Sequence, residues 1–180
     1  MNPAIQKLVQ LAEAEVGTRE QGGNNRGTRI EEYQQATWLN PAPWPWCAAF
    51  CCWVMKEWLS DPMVLETLGI PQTHWAQIEK LRCRDASAFG WEKWAVERQK
   101  LRAQIQVLPE TALARAGDFV VFDFSHIGIV SVDQPDGSGF IETIEGNTNG
   151  AGDRDSTTGD GVWRKRRKRE LTKSYIRLFS

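Results

Sequence analysis

Asn40-Pro41-Ala42-Pro43-Trp44-Pro45-Trp46-Cys47-Ala48-Ala49-Phe50-Cys51-Cys52-Trp53-Val54-Met55-Lys56-Glu57-Trp58-Leu59 is the stretch around which the rest of the chain can be arranged. Pro41, Pro43 and Pro45 remove donors and fix φ so often that no regular structure survives before Pro45, which suits the first turn of a helix. From Trp46 to about Leu59 the residues are apolar on nearly every side until Lys56 and Glu57. A helix apolar all round has to be covered all round, so this is the expected central helix. Ser60-Asp61-Pro62 stops it.

Working outward, Asn2 is a candidate N-cap, Pro3 fits the first helical position and Gly17 follows the end of a helix with Ile5, Leu8, Val9, Ala12 and Val16 on its buried face. Thr18 to Thr28 is Gly- and Asn-rich loop, and Arg29 to Trp38 reads as a short helix. Residues 62 to 112 are rich in helix formers, densest from Glu92 to Gln106, with breaks at Gly69-Ile70-Pro71 and Ala88-Phe89-Gly90. Beyond Gly117 the pattern changes: Phe119 to Asp123, Ile127 to Asp133 and Gly139 to Ile144 read as antiparallel strands, with Pro135-Asp136-Gly137 as a hairpin turn. A polar loop from Gly146 to Asp160 leads to Gly161 to Lys168, and Ser174 to Phe179 closes the sheet. Helices first and strands second predict one α+β domain over residues 1–180, with 62–108 as a helical insertion.

At 180 residues, 41% hydrophobic and 25% charged, the chain suits a single core. A net charge of -1 argues against nucleic acid as a general partner. No apolar run is long enough for a membrane span and no secretion signal is recognised at the amino terminus. Four cysteines, at 47, 51, 52 and 83, are spaced poorly for a disulfide framework.

Cys47 alone stands at an expected helix amino terminus, where free N–H groups and the dipole favour a thiolate; otherwise it is a small residue opening a buried helix. Cys51 and Cys52 read as core. Cys83, flanked by Arg82 and Arg84, reads as a surface thiol. Of two histidines, His74 reads as structural, whereas His126 begins a strand and can serve Cys47 as a base. Glu145 or Asn147, at the end of the next strand, can orient the imidazole, or simply close a turn. A zinc site on Cys47, Cys51 and a histidine is the competing use of these thiols, since an i,i+4 pair shares a helical face.

Trp46-Cys47-Ala48-Ala49-Phe50, Ala116-Gly117-Asp118-Phe119-Val120-Val121-Phe122, Ser125-His126-Ile127-Gly128-Ile129-Val130 and Ile144-Glu145-Gly146-Asn147 together resemble the successive motifs of the CHAP amidase/peptidase domain, in the papain-like clan of cysteine hydrolases. Val16-Gly17-Thr18-Arg19-Glu20 and the terminal Tyr175-Ile176-Arg177 extend the resemblance, which is weakest from about Pro62 to Leu108. It implies a papain-like fold with a nucleophile-bearing helix packed on an antiparallel sheet. It also implies a peptidoglycan hydrolase cutting the N-acetylmuramoyl-L-alanine bond or a stem or cross-bridge peptide bond. Cys47 would be the nucleophile, His126 the base, and Glu145 or Asn147 the orienting group, with no cofactor or metal required. Some family members bind calcium, but Asp153, Asp155 and Asp160 are too irregularly spaced to assign a site. The alternative is a non-catalytic wall-binding module on the same fold.

Glu20, or a residue of the loop Gln21 to Asn25, is expected to line the substrate cleft with Trp44 and Trp46, although packing is the ordinary use of indoles. Trp75, Trp91 and Trp94 in the insertion either shape the cleft or pack on its outside. The run Arg164-Lys165-Arg166-Arg167-Lys168-Arg169 reads as a charge-protected sheet edge or an attraction for an anionic wall polymer. Without a recognised signal, the expected route to the wall is release or delivery by a non-classical path, with a delivery or immunity partner.

Overall fold

The computed structural model describes residues 2–73, 75–100, 104–150 and 159–178, without the side chains of residues 75 and 77. Six helices precede or flank an antiparallel sheet: α1 (Pro3–Ala14), α2 (Thr28–Gln35), α3 (Cys47–Leu59), α4 (Pro62–Thr67), α5 (Trp75–Leu81) and α6 (Ala88–Gln99), among the described residues. The strands are β1 (Ile105–Pro109), β2 (Phe119–Phe122), β3 (Ile127–Val130), β4 (Phe140–Thr148), β5 (Gly161–Lys168) and β6 (Thr172–Leu178), in the spatial order β1-β6-β2-β3-β4-β5. This is the expected α+β class. Among the described residues no helix is long and apolar enough to cross a membrane.

The expected punctuation of α1 is present: Asn2 caps it by accepting from the Ala4 N–H, and Pro3 opens it. At α3 the start differs by one residue from the expectation. Trp46 is the N-cap and makes no side-chain capping bond, so the first N–H groups of the helix carry no cap. Burial of α3 is nearly complete, from Cys47 through Leu59 apart from Lys56 and Glu57. It lies between α1 and α2 on one side and β3 and β4 on the other. Trp58 donates from Nε1 to the Ala4 carbonyl at 2.6 Å, and Tyr33 of α2 stacks on Trp46.

The insertion departs from the sequence reading in three places. Residues 105–108, read as the end of the insertion, belong to edge strand β1, paired with β6. Strong helix formers upstream masked a short alternating run whose fate is decided by the free edge of β6. Ala88-Phe89-Gly90 is not a break but the first turn of α6; Ser87 caps it, and a side chain on Gly90 would collide with the Asp85 carboxyl. Cys83 is fully buried, not a surface thiol. Its flanking arginines turn to the carbonyls just past the end of α2, Arg82 to Ala36 and Arg84 to Thr37, and Cys83 lies against α3, its N–H directed to the Met55 sulfur. His74 lies outside the described residues.

Gly146 of β4 lies tight against the start of α3, where an added Cβ would stand 2.7 Å from Phe50 Cβ and 2.8 Å from the Trp46 ring. Both neighbours are buried, so neither can yield easily. Gly146→Ala is therefore expected to lower stability by about 1–3 kcal/mol through overpacking, read as a reduced urea midpoint at unchanged m-value.

Candidate active site

Cys47 begins α3, and His126 immediately precedes β3, in a turn where Ser125 adopts φ 59°. Glu145 stands in β4. Register pairs Glu145 with Trp163, Thr143 with Lys165 and Ile141 with Arg167, so these side chains share one face of the β4–β5 ribbon. Gly128 makes room for them: a Cβ there would lie 2.6 Å from Glu145 Cγ.

The result is a buried chain of charges. His126 Nε2 and Glu145 Oε2 are 2.9 Å apart, both residues being wholly enclosed. Arg167, only 1% exposed, donates from Nε to Glu145 Oε1 at 2.9 Å and from Nη2 to Oε2 at 2.6 Å. Thr143 adds a hydroxyl to Oε1 at 2.6 Å. On the other side, His126 Nδ1 is buried with no hydrogen-bond partner among the described residues, and the charge of Cys47 is the largest influence that raises the ring. Phe124 stacks on the imidazole with an interplanar angle of 8°.

These contacts set the protonation states. Burial pushes the Cys47 thiol up, but the charge and ring of His126 and the N–H groups of Ile127 and Ala48 together hold it below its ordinary value. Burial would lower His126; Cys47 and Glu145 overcome this and raise it to about 9. For Glu145 burial is again the largest effect and is outweighed by Arg167 and His126, which hold the carboxyl at about 2. The shifts run in the direction of a thiolate beside an imidazolium, backed by an ionised carboxylate. Such a pair can act as nucleophile and proton carrier.

Cys47 opens, 8% exposed, onto a cleft of about 640 Å³ that is also lined by Asn25, Trp38, Trp44, Asp85 and Asn147. The non-glycine residues at positive φ among those described are Asn25, Ser125 and Asn147, and all three line this cleft. Left-handed backbone concentrated at one place is stored strain of the sort found at functional sites.

The expected site residues divide. Cys47, His126 and Glu145 come together. Asn147 is not on the imidazole; it donates from Nδ2 to Asn25 Oδ1 at 3.0 Å, so the histidine's carboxylate partner is Glu145. Trp44 lines the cleft as expected. Trp46 does not: it is fully buried against Tyr33, and its Nε1 donates to Glu20 at 2.8 Å, which occupies Glu20 as well. An aromatic residue next to the nucleophile in sequence faces the core because the helix start turns it away from Cys47. Cys51 and Cys52 are core, and burial, reinforced by the charge of Cys47, pushes the Cys51 thiol well up, which disfavours the thiolate a zinc ligand needs. In the insertion, Trp91 is buried on Phe119, whereas Asp85 to Ala88 line the cleft, so the segment both packs and shapes the site. Asp160 accepts from Trp163 Nε1, and Asp153 and Asp155 lie outside the described residues.

Arg167 escaped the sequence reading because it sat in a basic run. Its signal was the period of a strand: Arg164, Arg166 and Lys168 are exposed, and Lys165 and Arg167 are buried. The exposed set stands on edge strand β5, with Arg164 paired to Glu13 and Arg166 to Glu142.

Comparison with protein families, with curated proteins and with solved structures finds no match.

Removing Arg167 would leave Glu145 charged and enclosed, so Arg167→Gln is expected to cost about 3–5 kcal/mol in chemical denaturation. The pH dependence has a definite sign. Because the folded value of Glu145, about 2, lies below its ordinary 4.5, its stabilisation is complete above pH 4.5 and is lost as pH falls through the folded value. Circular dichroism from pH 7 downward should place acid unfolding of Arg167→Gln at higher pH than that of the parent.

Proposed function

We propose that this chain is a cysteine hydrolase of papain-like architecture that cleaves an amide bond of peptidoglycan. The observation that carries the reading is the buried set Cys47, His126 and Glu145, in which the imidazole is paired to an enclosed carboxylate, the thiol is shifted toward the thiolate, and Cys47 alone of the three lines the cleft. The wall substrate rests on the motif resemblance, which also favours the N-acetylmuramoyl-L-alanine amide or a stem or cross-bridge peptide bond as the bond cut. No cofactor is required. The site of action is the cell wall, with a delivery partner or an immunity partner that would protect a producing cell.

In this mechanism the Cys47 thiolate attacks the carbonyl carbon; a C–S bond forms and the carbonyl π pair moves to oxygen. The uncapped N–H of Cys47 is a ready donor to that oxygen. Collapse breaks the C–N bond, and the His126 imidazolium gives its proton to the leaving amine. Water then attacks the thioester, His126 accepts its proton, and the freed acid leaves the thiolate restored. Glu145 holds one imidazole tautomer and stabilises the cation without itself taking the proton, since its carboxyl titrates far below neutrality.

Purified protein should release new amino ends from peptidoglycan sacs, and Cys47→Ala should abolish the release. Cys83→Ala should leave the rate per folded molecule unchanged, because Cys83 lies in the core and is not among the cleft-lining residues. Digestion by Cys47→Ala at the parent rate would remove the nucleophile assignment. The pH profile of kcat/KM should fall on the alkaline side near pH 9, where the imidazolium loses its proton, and on the acid side where the thiolate is protonated.

A further inference from the structure

We propose that the pocket between Trp38 and the outer face of α6 is a saccharide subsite, which seats a sugar ring of the wall glycan while the attached peptide lies in the cleft at Cys47. The pocket holds about 300 Å³, at the lower end of the range for small-molecule sites, and Trp38 and Asp85 line both it and the cleft. One ridge therefore separates two adjoining cavities, and the nucleophile lines only the larger. On the far side α6 contributes Gly90, Lys93, Trp94, Glu97 and Arg98, whose spacing of three and four residues puts them on a single helical face. Trp91 and Ala95 of the same helix are buried in the core.

The ridge is fixed by the backbone. The Trp38 N–H donates to the Arg84 carbonyl at 3.1 Å, and Arg84 Nη2 donates to the Thr37 carbonyl at 3.4 Å, so the insertion and the chain beyond α2 are tied together here. The indole itself stays 63% exposed, and no ring or cation stacks on it among the described residues. A ring held at its backbone with its face bare is a platform for a flat apolar surface. Trp94, across the pocket, packs edge-on against Trp91, which holds it in place. The Asp85 carboxylate is also oriented, because its Oδ1 accepts from the Ser87 N–H at 2.9 Å and from the Ser87 hydroxyl at 2.8 Å.

The chemistry of the lining selects the ligand. The side chains of Lys93, Glu97 and Arg98 enter no hydrogen bond or ion pair among the described residues, so cationic donors and a carboxylate acceptor stand free beside two indoles. A wholly apolar ligand would strip water from these charges and replace it with nothing. An anion would meet Arg84, Lys93 and Arg98, but Asp85 and Glu97 as well. A pyranose ring satisfies the whole set: its C–H face lies on an indole, and its hydroxyls donate to the carboxylates and accept from lysine and arginine. A sugar pocket beside the peptide cleft also matches a polymer whose peptides hang from sugar rings. The subsite rests on the wall-hydrolase reading and adds that the glycan is held as well as the peptide.

Binding is measured by calorimetry on the Cys47→Ala protein, which lacks the nucleophile, with a neutral tetramer of N-acetylglucosamine that carries no peptide. Saturable binding is expected, and Trp38→Ala and Glu97→Ala added singly should each weaken it by about tenfold. Both residues are exposed, so the fold should survive their loss, and Glu97 lines the pocket but not the cleft, so its effect locates the sugar. Raising salt from about 50 to about 500 mM should change the affinity by less than about twofold, since the tetramer has no charge to screen. Phe89→Ala, which removes a 43% exposed ring of the same insertion that lines neither cavity, should bind as the Cys47→Ala protein does. Absence of tetramer binding overturns the proposal, and so does binding that Trp38→Ala or Glu97→Ala leaves unchanged or tightens. Release of amino ends from sacs by the parent is scored separately. A parent that releases them while its Cys47→Ala form ignores the tetramer loses the subsite and keeps the hydrolase reading; one that binds the tetramer as described and releases nothing keeps a glycan site and loses that reading.

Discussion

The bidentate pair between Arg167 and Glu145 is the interaction on which the site depends, because it is the one that permits an ionised carboxylate to exist in the centre of the protein. An enclosed carboxylate alone would take up a proton, and a protonated Glu145 would no longer favour a cation on His126. With Arg167 in place the carboxylate stays charged, and the charges alternate from Arg167 through Glu145 and His126 to Cys47. The sum is zero whether the proton sits on sulfur or on the ring, so net charge does not decide between them. What tips the proton to the imidazole is the carboxylate on one side and the N–H groups of Ala48 and Ile127 around the sulfur on the other.

Such a chain tolerates little displacement, and the packing around it explains two glycines. Gly128 lets the Glu145 side chain lie flat over β3, and Gly146 lets β4 press against Phe50 and Trp46 at the start of α3. The helix that supplies Cys47 and the strand that supplies Glu145 are thus held in van der Waals contact one residue from the chemistry. A buried ion pair of this type adds little stability compared with a well-packed apolar pair of the same volume. Its presence here is better understood as the condition for a charged imidazole than as a contribution to folding.

Much of this was legible in the sequence, for reasons that differ by element. The apolar run from Cys47 to Leu59 announces a covered helix, and its start, marked by the proline-rich approach, singles out Cys47 among four thiols. The β-branched runs around His126 and Glu145 announce neighbouring strands, which is enough to bring them close. Choosing Glu145 over Asn147 was beyond the pattern, because it turns on which face of β4 each side chain occupies near an irregularity in pairing between Glu145 and Thr148. Cys83 was misread because two flanking arginines look solvated until their long side chains are seen reaching the carbonyls of Ala36 and Thr37, just past α2. Arg167 was hidden by composition: six basic residues in a row look uniform, and only the alternation of a strand separates the buried ones from the exposed.

The positions of strain complete the argument about how the cleft is made. Asn25, Ser125 and Asn147 come from a loop near the amino terminus, a turn before β3 and the far end of β4, and each takes up left-handed backbone where it borders the cleft. Strain of this kind persists only where surrounding contacts hold it. At Asn25 and Asn147 the holding contact is the amide bridge between them; at Ser125 it is the buried His126 that follows. The floor and rim of the cleft are therefore fixed by the same side chains that define its chemistry, and the opening is set before any ligand enters. A cleft so arranged does not rely on closure to assemble the charged groups behind Cys47, because His126, Glu145 and Arg167 are already enclosed and in contact.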